Sequence, residues 1–322
     1  MKIMFFELIR IVMMRMIAGK RYYSENVEKN EIKEAKKFRE ITMEISRIVD
    51  ASNMEYYLPV LGLLGDGRTM RNQFLLRRDP KTRFLRISGT YSTLVRVSSL
   101  SYVIFRITLP LPSTLEVVLL AAGTKTTATT MEWALSLLLN NPKVLKKAKI
   151  EIDNLVGDER LLEESDMIKL PYLRFIINET LRMYNLAPLL VPHHSSEECF
   201  VGGYCIPTDT MLLVNLWAIQ NDLEIWKDPG KFQPERFEDL RGTRDGFKFM
   251  PYGFGRRGCP EEALASRIIG LALGLVIQCF DLENFGKEMV DMTEGIEVSL
   301  SKAQPLMAMS CPRPIATKLF SP

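Results

Sequence analysis

Hydrophobic residues recur at helical spacing in several long segments of the chain. In residues 28–49, Ile32, Ala35, Phe38, Ile41 and Ile45 fall on one face among mixed charges. This arrangement predicts a surface helix that packs on a core through its apolar face. Apolar residues at similar spacing predict further helices at residues 1–20, 115–140, 165–184 and 262–280.

The pattern changes after Pro188. Short apolar stretches at 189–191, 199–206 and 211–215 are separated by Gly, Pro and Asp, which predicts short extended segments joined by turns. The chain has no internal repeat. It therefore predicts one mainly helical domain with a minor β-sheet.

An arginine-rich block interrupts the helical pattern. Residues 67–108 contain eight arginines and Lys81 against Asp79, a local charge of +8 in a chain of net charge +3. Basic residues interleaved with Phe74, Phe84 and Tyr91 are compatible with nucleic-acid binding. The block shows neither periodicity nor a known binding module, so we interpret 66–112 as an atypical insert and expect no nucleic-acid partner.

The cysteine content and the charges at the start of the chain indicate the cellular environment of the protein. Five scattered cysteines form no disulfide framework, and their odd number favours a reducing environment. Charged residues interrupt the apolar start of the chain at Lys2, Glu7, Arg10 and Arg15, which is too many for a spanning helix or a signal peptide. We interpret the start as an amphipathic helix and expect no membrane anchor in this chain.

The loop before the last predicted helix carries the candidate chemistry. Residues 249–260 read FMPYGFGRRGCP, in which glycines allow the backbone to approach a flat ligand. Positive charge from Arg257 and the start of the following helix favour the thiolate form of Cys259, the form that binds a metal. The glycines also fit the G-x-G-x-x-G spacing of a dinucleotide-binding turn. No continuous apolar strand precedes them and Pro251 stands at the turn, so the thiolate interpretation is favoured.

Gly255, Arg257 and Cys259 match the haem-binding signature of the cytochrome P-450 superfamily, which the chain resembles. Further motifs of that family occur in its order: AGTKTT at 122–127, ETLR at 179–182 and PERF at 234–237. The resemblance covers residues 1–65 and 113–322, and segments 14–23 and 290–295 are similar to plant microsomal members related to isoflavone hydroxylases. It implies an incomplete P-450 fold, mainly α with a minor β-sheet, over 1–322.

The resemblance also assigns roles to individual residues. It implies haem b, with iron bound by the thiolate of Cys259. The residues that would contact the haem are Arg257, Gly255, Tyr252 and His193, where His193 could equally belong to a solvated turn. The residues that would form the oxygen site are Gly123, Lys125 and Thr126, which in isolation would indicate only a helix kink.

Glu179, Arg182 and Arg236 would form a buried structural triad. An isolated Glu179–Arg182 pair on an exposed helix would be worth only about 0.2–0.5 kcal/mol.

Several residues depart from the family pattern. Lys125 replaces the usual acidic residue for proton delivery, Glu261 replaces a glycine, and Tyr252 replaces Phe. The chain also starts in the family's middle helices, so we interpret it as N-terminally truncated.

Two functional hypotheses follow. The first is a haem-dependent monooxygenase that inserts one atom of O2 into a small organic, phenolic or flavonoid-like metabolite, with electrons from NADPH through a P-450 reductase. The second is a catalytically inactive truncated fragment. The family acts at the cytosolic face of the endoplasmic reticulum membrane, whereas this chain without an anchor would be cytosolic or peripheral.

Overall fold

The computed structural model describes residues 1–18, 114–240, 245–286, 288–295 and 299–320, together with the backbone of 93–96 and 102–105. The helix predicted at 28–49 and most of the arginine-rich block lie outside the described residues. The chain divides into two compact units: Met1–Phe6 with Thr126–Pro322, and Glu7–Lys125. The predicted functional residues from Thr126 onward belong to the first unit, whereas Gly123 and Lys125 belong to the second.

The described residues are mainly helical, as predicted. The α-helices are α1 (Lys2–Ala18), α2 (Thr114–Asn140), α3 (Pro142–Val156), α4 (Pro171–Met183), α5 (Leu216–Asn221), α6 (Glu262–Cys279) and α7 (Pro314–Phe320). The 3₁₀ helices are Glu164–Lys169, Pro234–Phe237 and Gly255–Arg257.

The strands form two-stranded antiparallel pairs within the described residues. The strands are β1 (Thr93–Arg96), β2 (Tyr102–Phe105), β3 (His193–His194), β4 (Cys199–Val201), β5 (Tyr204–Ile206), β6 (Met211–Leu212), β7 (Phe280–Asn284) and β8 (Ala308–Pro312). The pairs are β1 with β2, β3 with β6, β4 with β5 and β7 with β8. Within the arginine-rich block, which showed no periodicity, the described backbone includes the antiparallel pair β1–β2.

The helices predicted at 115–140 and 262–280 are confirmed by α2 and α6. The single helix predicted at 165–184 is wrong, because the chain breaks at Leu170, where φ is −115° and ψ is 65°. Pro171 follows, and a proline disfavours helical geometry in the residue before it while being well suited to a first helical position. A 3₁₀ turn and α4 therefore replace one long helix.

The structure confirms one of the predicted extended stretches and contradicts another. Residues 199–206 form the β4–β5 hairpin, whose turn glycines, Gly202 and Gly203, have φ of 59° and 87°. Positive φ at both central residues is the geometry that hairpin turns favour and that glycine adopts without strain. Residues 189–191 are not a strand, because Leu190 has φ of 52° and donates its N–H to the Ala187 carbonyl at 2.8 Å, which closes a turn.

Helix α6 lies close to α4 and to the 3₁₀ helix Glu164–Lys169 because two of its inward positions are glycines. A Cβ atom at Gly274 would lie 2.5 Å from Leu162 Cδ2 and 3.2 Å from Leu173 Cδ2. At Gly270 it would lie 3.0 Å from Met167 Sδ. Among the described residues, α6 is also the one helix that is long and apolar enough to cross a bilayer by length and composition. Its packing in the core is an equally good reason for that composition.

Candidate active site

Cys259 is exposed at the end of a tight loop that leads into α6. Its N–H donates to the Tyr252 carbonyl at 2.8 Å, which closes the loop on itself. Gly253 and Gly255 have φ of 73° and 68°, a region that other L-residues rarely adopt. The loop therefore depends on glycine at these two positions. It presents the Cys259 thiol just before the N-terminus of α6, where the helix dipole favours negative charge.

Two side chains from other elements bind the start of this loop. The buried Asn185 donates from Nδ2 to the Pro251 carbonyl at 3.0 Å. Ser266, on α6, donates from Oγ to the Tyr252 hydroxyl oxygen at 3.3 Å. Burial raises the pKa of Tyr252 to about 12, so its phenol stays neutral at ordinary pH. The loop is thus held at adjacent residues from two directions.

Glu179, Arg182 and Arg236 come together as one hydrogen-bonded ion group. Arg182 donates to the Glu179 carboxylate from Nε at 2.7 Å and from Nη2 at 2.9 Å, and both side chains are fully buried. Arg236 donates from Nε to Glu179 Oε1 at 3.2 Å. The carboxylate therefore bridges two guanidinium groups. This buried arrangement differs from the exposed ion pair that an isolated i, i+3 spacing would suggest.

The guanidinium groups also bind backbone oxygens. Arg182 donates to the carbonyls of Gln220 and Pro229, at 2.8 and 2.7 Å. Arg236 donates to the Asp228 carbonyl at 2.8 Å. Arg182 therefore fixes backbone 38 and 47 residues further along the chain, whereas Arg236 fixes backbone eight residues before it. The ion group as a whole joins α4, the end of α5, the loop after it and the 3₁₀ helix Pro234–Phe237.

The start of α4 is also fixed by a side chain that sequence reasoning missed. Glu151, on α3, accepts the N–H groups of Tyr172 and Leu173 at 2.8 and 3.0 Å. These donors lie in the first turn of α4, where helical N–H groups have no partner within the helix. Burial raises the pKa of Glu151, although the two bonds and nearby cations oppose that shift. No local spacing signals such a contact across two helices.

The other predicted site residues lie on α2 and β3. Helix α2 runs without interruption through Gly123 and Lys125, which are half-buried, and Thr126, which is exposed. The Thr126 carbonyl accepts a hydrogen bond from Thr130 Oγ1 at 3.0 Å. His193 is half-buried and pairs with Leu212 in the β3–β6 ladder.

The residues of the loop fit a flat ligand bound through one sulfur. Arg257 and Cys259 are exposed, and a Cβ atom at Gly255 would meet nothing within 4 Å. Among the described residues no three His, Cys, Asp or Glu side chains could together hold a metal ion. One cysteine is therefore the available protein ligand in this loop. It suits an iron-containing group that supplies most of the iron ligands itself and takes a single thiolate from the protein.

Glu261, two residues after Cys259, is the N-cap residue of α6, and burial raises its pKa.

Comparison with known proteins identifies the family. The cytochrome P-450 family profile matches residues 113–308. The (+)-piperitol/(+)-sesamin synthase of Sesamum radiatum is 42% identical over 317 residues, which cover 95% of this chain and 62% of the relative. The isoflavone 2'-hydroxylase of Glycyrrhiza echinata is 40% identical over 320 residues, 95% of this chain and 63% of the relative. The isoflavone 3'-hydroxylase of Medicago truncatula is 41% identical over 317 residues, 94% of this chain and 62% of the relative.

The match identifies a family of haem-thiolate proteins. The chain belongs to the cytochrome P-450 family, whose members bind haem through a cysteine thiolate. It is of the plant type that includes the isoflavone hydroxylases. The chain spans about three fifths of the length of the curated relatives that it matches.

Proposed function

We propose that this chain acts as a haem-dependent monooxygenase that inserts one oxygen atom of O2 into a small phenolic or flavonoid-like metabolite. The observation that carries the proposal is the exposed Cys259 thiol, which a closed glycine loop presents at the N-terminus of α6. Relatives named isoflavone 2'-hydroxylase and isoflavone 3'-hydroxylase support this class of substrate.

In this proposal the bound haem supplies the oxygen chemistry, and the chain's residues hold and orient it. Cys259 would bind iron, Gly255 would leave space for the ring, and Arg257 would offset negative charge. Tyr252 would line the same loop, and His193 would contact a propionate. The buried ion group of Glu179, Arg182 and Arg236 would keep the approach to the loop rigid.

The residues of α2 have separate proposed roles. Gly123 would leave room for O2 beside the helix, and Thr126, which is exposed, would contribute its hydroxyl to the oxygen site. Lys125 would stand where an acidic side chain normally passes protons. A cation there is a poor proton relay, so this substitution favours a second candidate, a haem-binding family member with little turnover.

The proposed partners follow from the family. We expect electrons from NADPH through a P-450 reductase. We also expect the protein to work at the cytosolic face of the endoplasmic reticulum, and a form without an anchor to be cytosolic or peripheral.

Haem ligation is tested by the reduced carbon monoxide spectrum of the purified chain after haem addition. We expect the thiolate-type absorption band in the parent protein, its loss in Cys259→Ser, and no change in Cys205→Ser. Cys205 is the matched control because it is also exposed but lies in β5. A thiolate band that survives Cys259→Ser would overturn the assignment of the iron ligand.

Turnover is tested separately with an isoflavone, NADPH and reductase, by mass spectrometry of the hydroxylated product. If proton delivery limits the haem-loaded protein, Lys125→Asp should raise product formation, whereas Lys125→Met should not. Unchanged rates in both variants would contradict a role for Lys125. Haem binding with no product in any variant would favour the inactive candidate.

A further inference from the structure

Asn185 lies just beyond the C-terminus of α4, in the segment that leaves the buried ion group. Only 5% of the residue's surface is exposed, so its side chain is buried. The amide makes two hydrogen bonds of opposite kind. Nδ2 donates to the Pro251 carbonyl at 3.0 Å, and Oδ1 accepts the Ala187 N–H at 2.9 Å. Because both ends of the amide are bonded, its orientation is fixed.

Two hydrogen bonds and two residues, Pro251 and Tyr252, connect this amide to Cys259. Pro251 adjoins Tyr252, and the Tyr252 carbonyl accepts the Cys259 N–H at 2.8 Å. A second side chain bound to the loop start, that of Ser266, makes a longer contact of 3.3 Å with the Tyr252 hydroxyl, at the end of the ring. The shorter and fully buried bond to the backbone therefore exerts the tighter control over the loop.

We propose that Asn185 is a positioning residue for the cysteine loop. Its amide fixes the Pro251 carbonyl against the end of α4. The next carbonyl along the chain, that of Tyr252, accepts the Cys259 N–H and so holds the Cys259 backbone. The amide thereby transmits the rigid placement of Glu179 and Arg182 to the thiolate. The effect on haem rests on the proposed function, whereas the effect on the loop itself does not.

Two variants distinguish the effect of the Nδ2 donor from that of the rest of the Asn185 side chain. Asn185→Asp keeps the acceptor for Ala187 but places an oxygen against the Pro251 carbonyl, so the loop bond becomes a repulsion. Asn185→Ala removes both bonds without adding repulsion. Asn140→Asp is the matched control, because the Asn140 amide also bonds one backbone oxygen and one backbone N–H, both of Val290, at 2.9 and 2.8 Å.

The first readout is hydrogen–deuterium exchange of the haem-free chain, followed in the peptide that covers residues 250–260. In Asn185→Asp and Asn185→Ala we expect exchange in this peptide to speed up by about threefold to tenfold, the effect of losing one hydrogen bond. In Asn140→Asp, exchange in this peptide should match the parent. Exchange that rises equally in all three variants, or that stays unchanged in Asn185→Ala, would overturn the inference.

The second readout is the form of the reduced carbon monoxide complex at equal haem loading. A displaced loop should convert part of the thiolate-type band into the neutral-thiol type in both Asn185 variants and not in Asn140→Asp. If the parent binds no haem, the proposed function fails while the exchange result still decides the role of Asn185. If Asn185→Asp does not fold, Asn185→Ala supplies both readouts.

Discussion

Replacing Glu179 by Gln gives the sharpest test of the buried ion group. The substitution keeps the shape of the side chain and removes its charge. The Glu179 carboxylate is fully buried and accepts from Arg182, from Arg236 and from the Gln233 N–H, the last at 3.0 Å. A Gln amide would leave the Arg182 charge buried without a counterion. It would also direct its own N–H₂ group at one of the N–H groups that donate to the Glu179 carboxylate.

The expected loss follows from these contacts. Removing one partner of a buried ion pair typically costs about 3–5 kcal/mol, because the remaining charge stays desolvated. Arg182 keeps its bonds to the Gln220 and Pro229 carbonyls, which places the expected loss nearer the lower value. A domain is typically stable by only about 5–15 kcal/mol, so this variant should lose a large part of its stability.

Urea unfolding followed by circular dichroism measures this loss. Glu164→Gln is the matched control, because Glu164 pairs with Arg267 at 3.3 Å while the two side chains are 62% and 65% exposed. Exposed pairs of this kind contribute about 0–1 kcal/mol. If Glu179→Gln lowers the unfolding free energy no more than Glu164→Gln does, the ion group does not stabilise the fold and the reasoning is refuted.

Three further predictions concern other parts of the same unit. Gly274→Leu should lower the unfolding free energy by about 1–3 kcal/mol, because the new side chain would overpack against Leu162 and Leu173. The control, Ala263→Leu on the exposed side of α6, should change it by less than about 0.5 kcal/mol. Equal melting temperatures for the two variants would show that α6 can move away from its neighbours. Arg160 holds the pKa of Asp166 at about 2, below its usual 3.8, so Asp166 stabilises the fold above pH 3.8 and loses this effect as the pH falls through about 2. Asp166→Asn should accordingly lower the melting temperature at neutral pH, and the difference from the parent should shrink in acid; a difference independent of pH would contradict the ion pair. Burial raises the pKa of Tyr252 from 10.0 to about 12, so its stabilising effect is complete below pH 10 and is lost as the pH rises through about 12. The urea midpoint of Tyr252→Phe should therefore fall less steeply than that of the parent across this range, and parallel profiles would show that Tyr252 is not the group responsible.

Features encoded by short sequence patterns could be predicted before the structure. Helices α2 and α6 follow from long apolar runs, and the Cys259 loop follows from its glycines and arginines. The same holds for Glu179 and Arg182, which lie one helical turn apart. Their meeting with Arg236, 54 residues beyond Arg182, came from family resemblance, because no local spacing dictates it.

Contacts between distant segments could not be predicted in this way. Asn185 reaches Pro251 across 66 residues, and Gln278 accepts the Leu162 N–H across 116 residues. An asparagine after a helix has many local alternatives, so its sequence context alone indicates only a turn. The break at Pro171 is a different case. The proline was visible, but the apolar pattern on both sides of it suggested one continuous helix.

The placement of Cys259 depends on α4 at both ends of its loop. At the start of the loop, Asn185 holds Pro251 immediately after α4 ends. At the other end, the loop continues into α6, which packs closely against α4 and its preceding turn because Gly274 carries no side chain. A shift of α4 would therefore move both ends, and the thiolate with them. Burying Glu179 and Arg182 in this helix costs desolvation that a hydrophobic pair would avoid. We expect the ion group to offset this cost by favouring one orientation of α4, because its bonds to the Gln220 and Pro229 carbonyls are directional.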